Sequence, residues 1–425
     1  MIRFKKTELK NGIRVVSEAH PQSKAVSIGL WVGTGTRDES SSEAGMSHFL
    51  EHMVFKGTKT RSAYQIAKSL EALGGELNAY TSREYTCYHA HILKDYWEKG
   101  IEILSDLVSN MDISRADFIL EKSVVMQEIS MGEDNLEELI YDKYLSQALV
   151  NHPLSKPILG TENSIKSLTQ KQLYSFYKRN YSGRNIIISA SGNIDHQELV
   201  DSVQKYLGRK ESRKFKNRRT KPRHKAFRLV EEKNAEQLHM LLGFPVTSFR
   251  DSQRFEAFVV NAMLGGGMTS KLYQSIREKR GLVYSIYSSL HTFVDFGLIN
   301  IYAATDEKQI RSVVKNISNE LKRIRKHKIS SHDLEMFKTQ IMGSIMLGSD
   351  DVDNRMNSIA INEMVFGKYK PIEEIIEEIA NVSVKSVNSF ADRWLDPDQV
   401  GGVLLGGNAN KHKEWFENFN FREGR

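Results

Sequence analysis

The chain has 425 residues, 40% hydrophobic and 27% charged, with a single cysteine and a formal charge of +7. A prior of roughly 150 residues per domain gives two or three domains, each large enough to bury a core. The composition excludes a disordered chain, the lone Cys87 excludes an intrachain disulfide framework, and no run approaches the ~18 apolar residues of a membrane-spanning helix.

Met1-Ile2-Arg3-Phe4-Lys5-Lys6 lacks the apolar core of a signal peptide, which together with the unpaired Cys87 sets the expectation of a cytoplasmic protein. Val26, Ile28, Leu30 and Val32 alternate and predict a strand; residues 77–92 form a second β-rich stretch. Helical periodicity covers 44–56, 62–73, 95–111 and 115–132. Residues 209–225 then hold ten Lys/Arg and one Glu, a local +9 that leaves −2 for the rest of the chain. With Phe215 as its only aromatic, this run reads as a solvated domain linker in preference to a nucleic-acid surface, for which steep salt dependence would be the mark. Beyond it, helices at 254–264 and 270–280, strand-like sequence at 282–303 and helices at 306–326 and 331–346 repeat the earlier order.

An internal repeat accounts for that recurrence. Ile113-Ser114-Arg115-Ala116-Asp117-Phe118 with Lys122 matches Ile329-Ser330-Ser331-His332-Asp333-Leu334 with Lys338 at an offset of 216 residues. Ile165 with Ser175-Phe176 matches Ile379 with Ser389-Phe390 at 214, and Gly192-Asn193 matches Gly407-Asn408. A near-constant offset implies duplication. The expected fold is α+β, with two homologous domains at 1–208 and 226–425 joined by the linker, each a mostly antiparallel sheet with helices packed on one side.

Residues 48–52 read His48-Phe49-Leu50-Glu51-His52. At 100° per residue Met46, Phe49, Leu50 and Met53 form an apolar stripe, and His48, Glu51 and His52 lie together on the opposite face. Two imidazoles one turn apart can share a Zn²⁺, and the adjacent carboxylate can take a proton from water activated there. With 13 His in the chain, chance supplies such a pattern about 0.05 times. A catalytic zinc needs a third ligand. Helix 115–132 offers Glu121 and Glu128, seven residues apart on one face. Two such carboxylates can equally be solvated; they join the site only if the helices pack side by side, which spacing does not show. His89 and His91 alternate along a strand without a spaced carboxylate and are read as structural.

HFLEHMVFKGT followed by LGGELNAYTSREYTCY closely resembles the inverzincins, the pitrilysin family of zinc metallopeptidases, and EKSVVMQEI resembles the second motif of that family. The resemblance extends over most of the chain and implies one zinc per chain held by His48, His52 and Glu128, with Glu51 as general base and Glu121 as an accompanying glutamate. It implies peptide substrates, hydrolysed within a closed chamber, and an edge strand at 77–81 that pairs with them through Asn78 and Ala79. Arg277 and Tyr284, taken singly a surface charge and a core aromatic, resemble the pair that these peptidases bring to the substrate from the opposite half of the chamber. In this shorter chain a facing subunit would supply them, hence a homodimer. The second half offers Phe337 and Ser344 opposite Glu121 and Glu128, and the glycines of NAMLGGGM lack the Gly-Lys-Ser/Thr of a phosphate loop. The alternative within the family is a catalytically inactive structural or partner subunit of a processing-peptidase-like complex.

Overall fold

The computed structural model describes residues 3–213 and 219–424. They divide into two compact units: the described residues within 3–131, 156–220 and 347–370 form the first, and residues 132–155, 221–346 and 371–424 the second. Within the basic segment, residues 214–218, Phe215 among them, lie outside the described residues.

Unit 1 is built on strands β1 (Arg3–Glu8), β2 (Arg14–Ala19), β3 (Ala25–Val32), β4 (Glu76–Thr81), β5 (Thr86–Leu93) and β6 (Ile186–Gly192), in the order β1-β2-β6-β3-β5-β4. Only the β2/β6 pair is parallel. β3 and β6 are buried along nearly their whole length, the small polar Ser27, Ser189 and Ser191 included, whereas the edge strand β4 alternates between exposed and half-buried residues. Helices α1 (Met46–Val54), α2 (Ala63–Glu71), α3 (Trp97–Ser109) and α4 (Arg115–Asp134) follow the expected ranges within a few residues. Their apolar stripes meet Val26, Ile28 and Leu30 of β3 in one core with Phe49, Leu50, Met53, Leu104 and Phe176.

Unit 2 contains β7 (Arg228–Glu232), β8 (Leu238–Val246), β9 (Ser285–Thr292), β10 (Gly297–Thr305) and β11 (Gly401–Gly406), in the order β7-β11-β8-β10-β9. Leaving out β1, this is the strand permutation of unit 1, again with one parallel pair. The α+β class and the two mostly antiparallel sheets are as the sequence implies.

The repeated residues perform repeated work. Ser114 Oγ accepts the Asp117 N–H at the start of α4, and Ser330 Oγ accepts the Asp333 N–H at the start of helix Ser331–Gly348, each at 3.0 Å. Lys122 Nζ donates to the carbonyls of Lys166 (2.9 Å) and Leu168 (2.5 Å), and Lys338 Nζ to those of Ala380 (2.6 Å) and Val382 (3.2 Å). Each lysine thereby ties a long helix to the end of a short one. At the third match the backbone shifts the alignment by one residue. Gly192 (φ 131°) corresponds to Gly406 (φ 138°), not Gly407, at the ends of β6 and β11.

The boundary between units is more involved than a cut at the linker. Helix α5 (Leu136–Ala148), from the first half of the chain, packs Ile140, Tyr144 and Ala148 against Leu241, Tyr302, Val403 and Leu405 in unit 2. Helix Val352–Phe366, from the second half, packs Met356, Ile359 and Ala360 against Val16, Trp31, Cys87 and Ile187 in unit 1. The two helices start 216 residues apart, the offset of the repeat, so equivalent segments are exchanged and each sheet also has its second face covered. Glycines admit them. A Cβ on Gly29 of β3 would lie 2.5 Å from Met356 Sδ, and one on Gly243 of β8 would lie 2.5 Å from the Tyr144 hydroxyl. A division at 1–208 and 226–425 therefore leaves one helix of each unit on the wrong side, because the sheets bury both faces.

Ion pairs fix the exchanged helix in unit 1. Arg355 donates to both oxygens of Glu18, at 2.7 and 2.6 Å, and Tyr369 Oη donates to the same carboxylate at 3.0 Å. Burial pushes Glu18 upward, but the Arg355 and His20 hydrogen bonds and the guanidinium charge outweigh it and hold the carboxyl at about 2. Glu363 accepts from Lys6 (2.8 Å) and Arg14 (3.1 Å).

Candidate metal centre

The site begins with α1. Its N-cap, Gly45, is left-handed (φ 86°) and supplies no side chain, so the buried Glu39 carboxylate does the capping by accepting the N–H groups of Gly45 (2.9 Å) and Ser47 (2.7 Å). Burial pushes the Glu39 carboxyl up to about 8 against those hydrogen bonds. Met46, Phe49, Leu50 and Met53 are fully buried, and His48, Glu51 and His52 face the other way, half-buried. The amphipathic register predicted for this helix is the one observed.

α4 crosses beside it. Phe118 and Val125 enter the core, and the Phe118 ring meets Phe49 edge-on at 5.2 Å, which brings the carboxylates of α4 to the imidazoles of α1. Glu128 Oε2 lies 3.5 Å from His52 Nε2 and 3.8 Å from His48 Nε2. One ligand atom from each of the three residues falls within 4.8 Å of the others, and no other such group occurs among the described residues. Bonds of about 2.0–2.1 Å in a tetrahedron separate ligand atoms by about 3.3 Å, so small side-chain adjustments suffice for one ion.

The donor chemistry also fits zinc. His52 Nδ1 donates to Glu121 Oε1 at 2.8 Å, which leaves the lone pair on Nε2, the atom facing Glu128. Burial, reinforced by His52, lowers His48 to about 4, so its imidazole is neutral and free to ligate near pH 7. For His52 burial acts downward, but the Glu121 hydrogen bond and the charges of Glu128, Glu121 and Glu51 raise it. Glu121 is 2% exposed; burial acts upward on it and is outweighed by His52 and by Lys56, whose Nζ lies 2.5 Å from Oε2.

Glu51 stands beside the ligand set. Its Oε2 accepts from Thr81 Oγ1 at 2.5 Å, which ties the carboxylate to β4. Burial raises the Glu51 carboxyl above the ordinary range, with Thr81 and His52 opposing and Glu128 adding to the rise. Among the described residues β4 pairs only with β5, so its other edge carries no strand, and Thr81 joins it to α1. Asn78 is exposed and its Oδ1 accepts the N–H of Ala79 at 2.8 Å. His91 and His89 lie on the strand beside it, where His91 Nδ1 meets Asp353 Oδ2 (3.1 Å) and Ser27 Oγ (2.8 Å). The carboxylate missing from the local sequence thus arrives on the exchanged helix.

Unit 1 therefore assembles His48, Glu51, His52, Glu121 and Glu128 and sets Asn78 and Ala79 on the adjoining strand. Arg277 and Tyr284 belong to unit 2. Arg277 is exposed, with its guanidinium 4.9 Å from the Tyr273 ring and Nη1 donating to Tyr273 Oη at 3.0 Å. Tyr284 is 59% exposed and is no core aromatic. Opposite Glu121, Phe337 is buried in the unit 2 core. Sequence reasoning missed Glu39, Thr81 and Lys56. Lys56, four residues after His52, was the one with a readable helical spacing.

Residues 14–162 match the family described as insulinase (peptidase family M16), and residues 167–341 match the peptidase M16 inactive domain. A Mycobacterium leprae protein named as an uncharacterized zinc protease is 37% identical over 414 residues, 96% of this chain and 92% of that protein. One of the same description from Bacillus subtilis is 36% identical over 401 residues, 94% and 98% of the two chains. Among solved structures, a protease from Helicobacter pylori superposes with a TM-score of 0.90 at 21% identity, over 96% of this chain and all of that one. A peptidase M16 inactive domain from Pseudomonas fluorescens gives 0.89 at 17%, over 96% and 98%; at these identities the likeness is one of fold. With 37% identity across nearly its whole length and both family domains present, the chain belongs to the insulinase family, peptidase family M16, as a pitrilysin-type member of the small two-domain form.

Proposed function

We propose that the chain is a zinc-dependent endopeptidase acting on peptides or short unfolded polypeptides in the cytoplasm. The observation that carries this reading is the convergence of His48, His52 and Glu128 donor atoms within 4.8 Å, with Glu51 alongside. One zinc ion held by those three residues would act as a Lewis acid, activating water and polarising the scissile carbonyl.

The chain's own groups do the rest. Glu51, anchored through one oxygen by Thr81, takes the proton of the attacking water and passes it to the leaving amine; its raised carboxyl brings it closer to the working pH of a general base. Extended substrate lies along the open edge of β4, where added-strand pairing supplies backbone hydrogen bonds without reading side chains. The Asn78 carboxamide, now bonded to the Ala79 N–H, gives way to the substrate carbonyl and turns to the peptide itself. Breadth of specificity follows. In a homodimer enclosing the substrate, Arg277 and Tyr284 of the facing subunit donate to the developing oxyanion. The exposure of both side chains is consistent with that role.

The test is digestion of a peptide library by the wild type and by Glu51→Gln, with and without a chelator, alongside metal analysis. The expected result is internal cleavage that is abolished by the chelator and by Glu51→Gln, with one zinc per chain in both proteins. A zinc-loaded wild type that cleaves nothing would instead support the inactive-subunit reading. Tyr284→Phe should lower kcat and spare zinc content, and a fully active monomer in sedimentation and assay would remove the role given to the facing subunit.

A further inference from the structure

Glu121 is a carboxylate with almost no contact with water, and each of its oxygens has a different partner. Oε1 takes the Nδ1 proton of His52 at 2.8 Å; Oε2 faces Lys56 Nζ at 2.5 Å. An ion pair of this kind matters more for what it orients than for the stability it adds. A carboxylate held through one oxygen can swing about that contact, whereas held at both it is fixed in plane, and so is the imidazole it supports. The position of the ammonium is itself set by the helix. Lys56 N–H donates to Met53 O at 3.2 Å as α1 ends, and the next residue, Gly57, is bridged to Ser62. A cation at a helix C-terminus is also favoured by the macrodipole.

Resting on the reading of His48, His52 and Glu128 as zinc ligands, we propose that Lys56 is a positioning residue for the metal: it clamps Glu121, and through Glu121 it holds His52 with Nε2 aimed at the ion. Glu51, Glu121 and Glu128 contribute −3, and Lys56 with a divalent ion contributes +3, so the loaded site is neutral. A bare Coulomb argument gives the opposite sign, with removal of a cation tightening metal binding. Glu121 neutralises the ammonium at contact distance, so the pair presents little net charge to the ion and the loss of orientation dominates. Loss of an outer partner of a ligating histidine typically weakens metal binding by 10–100-fold.

The experiment is a competition titration of the metal-free chain with Zn²⁺ against a chromophoric chelator, which needs no substrate. It compares the wild type with Lys56→Met, Lys56→Arg, Glu121→Gln and the Lys56→Met/Glu121→Gln double variant. Lys56→Met is expected to weaken zinc binding by about 10–100-fold and Lys56→Arg to recover most of it. In the Glu121→Gln background Lys56→Met should have little further effect, because the lysine acts through that carboxylate. The Co²⁺ form of Lys56→Met should show altered ligand-field bands under conditions where urea denaturation shows it fully folded, a signature that a purely structural lysine would not produce. If Lys56→Met fails to fold, Lys56→Arg decides: binding near that of the wild type supports the proposal, and binding as weak as in Glu121→Gln overturns it. Lys56→Met with wild-type or tighter affinity, or with its full effect in the double variant, also overturns it. A wild type that takes up no zinc brings down the metal reading as well, whereas a zinc-binding wild type with an unaffected Lys56→Met brings down this proposal alone.

Discussion

The two units carry the same strand permutation and the same capping and tethering residues, yet differ at the position equivalent to Glu121. In unit 1 a buried carboxylate there hydrogen-bonds His52; in unit 2 the residue is Phe337, 1% exposed and part of the core. The scaffold is thus compatible with either a polar site or a filled core at this place. What distinguishes them is a handful of side chains on two helices. A buried carboxylate needs polar partners, whereas a ring needs only contact.

The comparison can be broken most decisively at Glu51. Glu51→Gln should keep zinc and lower kcat by about 10²–10⁴-fold, whereas His48→Ala or Glu128→Ala should lose both; metal analysis with kinetics separates the two outcomes. Turnover retained in Glu51→Gln would mean that the chemistry lies elsewhere.

At the paired position, Phe337→Ala should cost about 3–5 kcal/mol in urea denaturation and leave zinc affinity unchanged. Glu121→Gln should do the reverse, with weakened zinc and a modest stability change. Equal effects on zinc would erase the distinction between the units.

Arg355→Met leaves Glu18 buried without its bidentate partner and should cost about 3–5 kcal/mol of unit 1 stability. The pH dependence has a definite sign. The folded-state carboxyl of Glu18 lies at about 2, below the ordinary 4.5, so its contribution is present in full above about pH 4.5 and is lost as pH falls toward 2. The wild type should therefore lose stability through that window more steeply than Arg355→Met, which denaturation midpoints measured from pH 5 to 2.5 would show.

Smaller effects sharpen the symmetry. Gly29→Ala and Gly243→Ala push a methyl into an exchanged helix in unit 1 and unit 2 respectively, and each should cost about 1–3 kcal/mol. If only one of the pair is costly, the two exchanged helices are not held alike.

Much of this was readable in the sequence because it is local. The α1 stripe follows from 3.6-residue periodicity alone, and His48, Glu51 and His52 fall on one face wherever the helix packs. The repeat of Ser114 and Lys122 by Ser330 and Lys338 was visible as letters before its meaning as cap and tether was known. Helices α5 and Val352–Phe366 left no such trace. The second buries Arg355, Asn362 and Glu363 along with its apolar residues, which blurs its amphipathic pattern. Its polar residues are buried because Glu18, Lys6 and Arg14, more than 300 residues away, meet two of them. Sequence distance likewise hid Asp353, the partner of His91, whereas Glu39 caps α1 from only six to eight residues away through a turn that leaves no periodic pattern.

By itself the sequence determined the composition class, the duplication, the helix faces and the grouping of His48, Glu51 and His52 on one of them, since each depends on spacing along the chain. Only the tertiary structure decided that α4 lies against α1, that Glu128 closes on both imidazoles while Glu121 and Lys56 stand behind one of them, and that equivalent helices are exchanged between units. Those outcomes depend on which buried surfaces meet, and the free energy of burial is set by contacts between distant segments that no local pattern encodes.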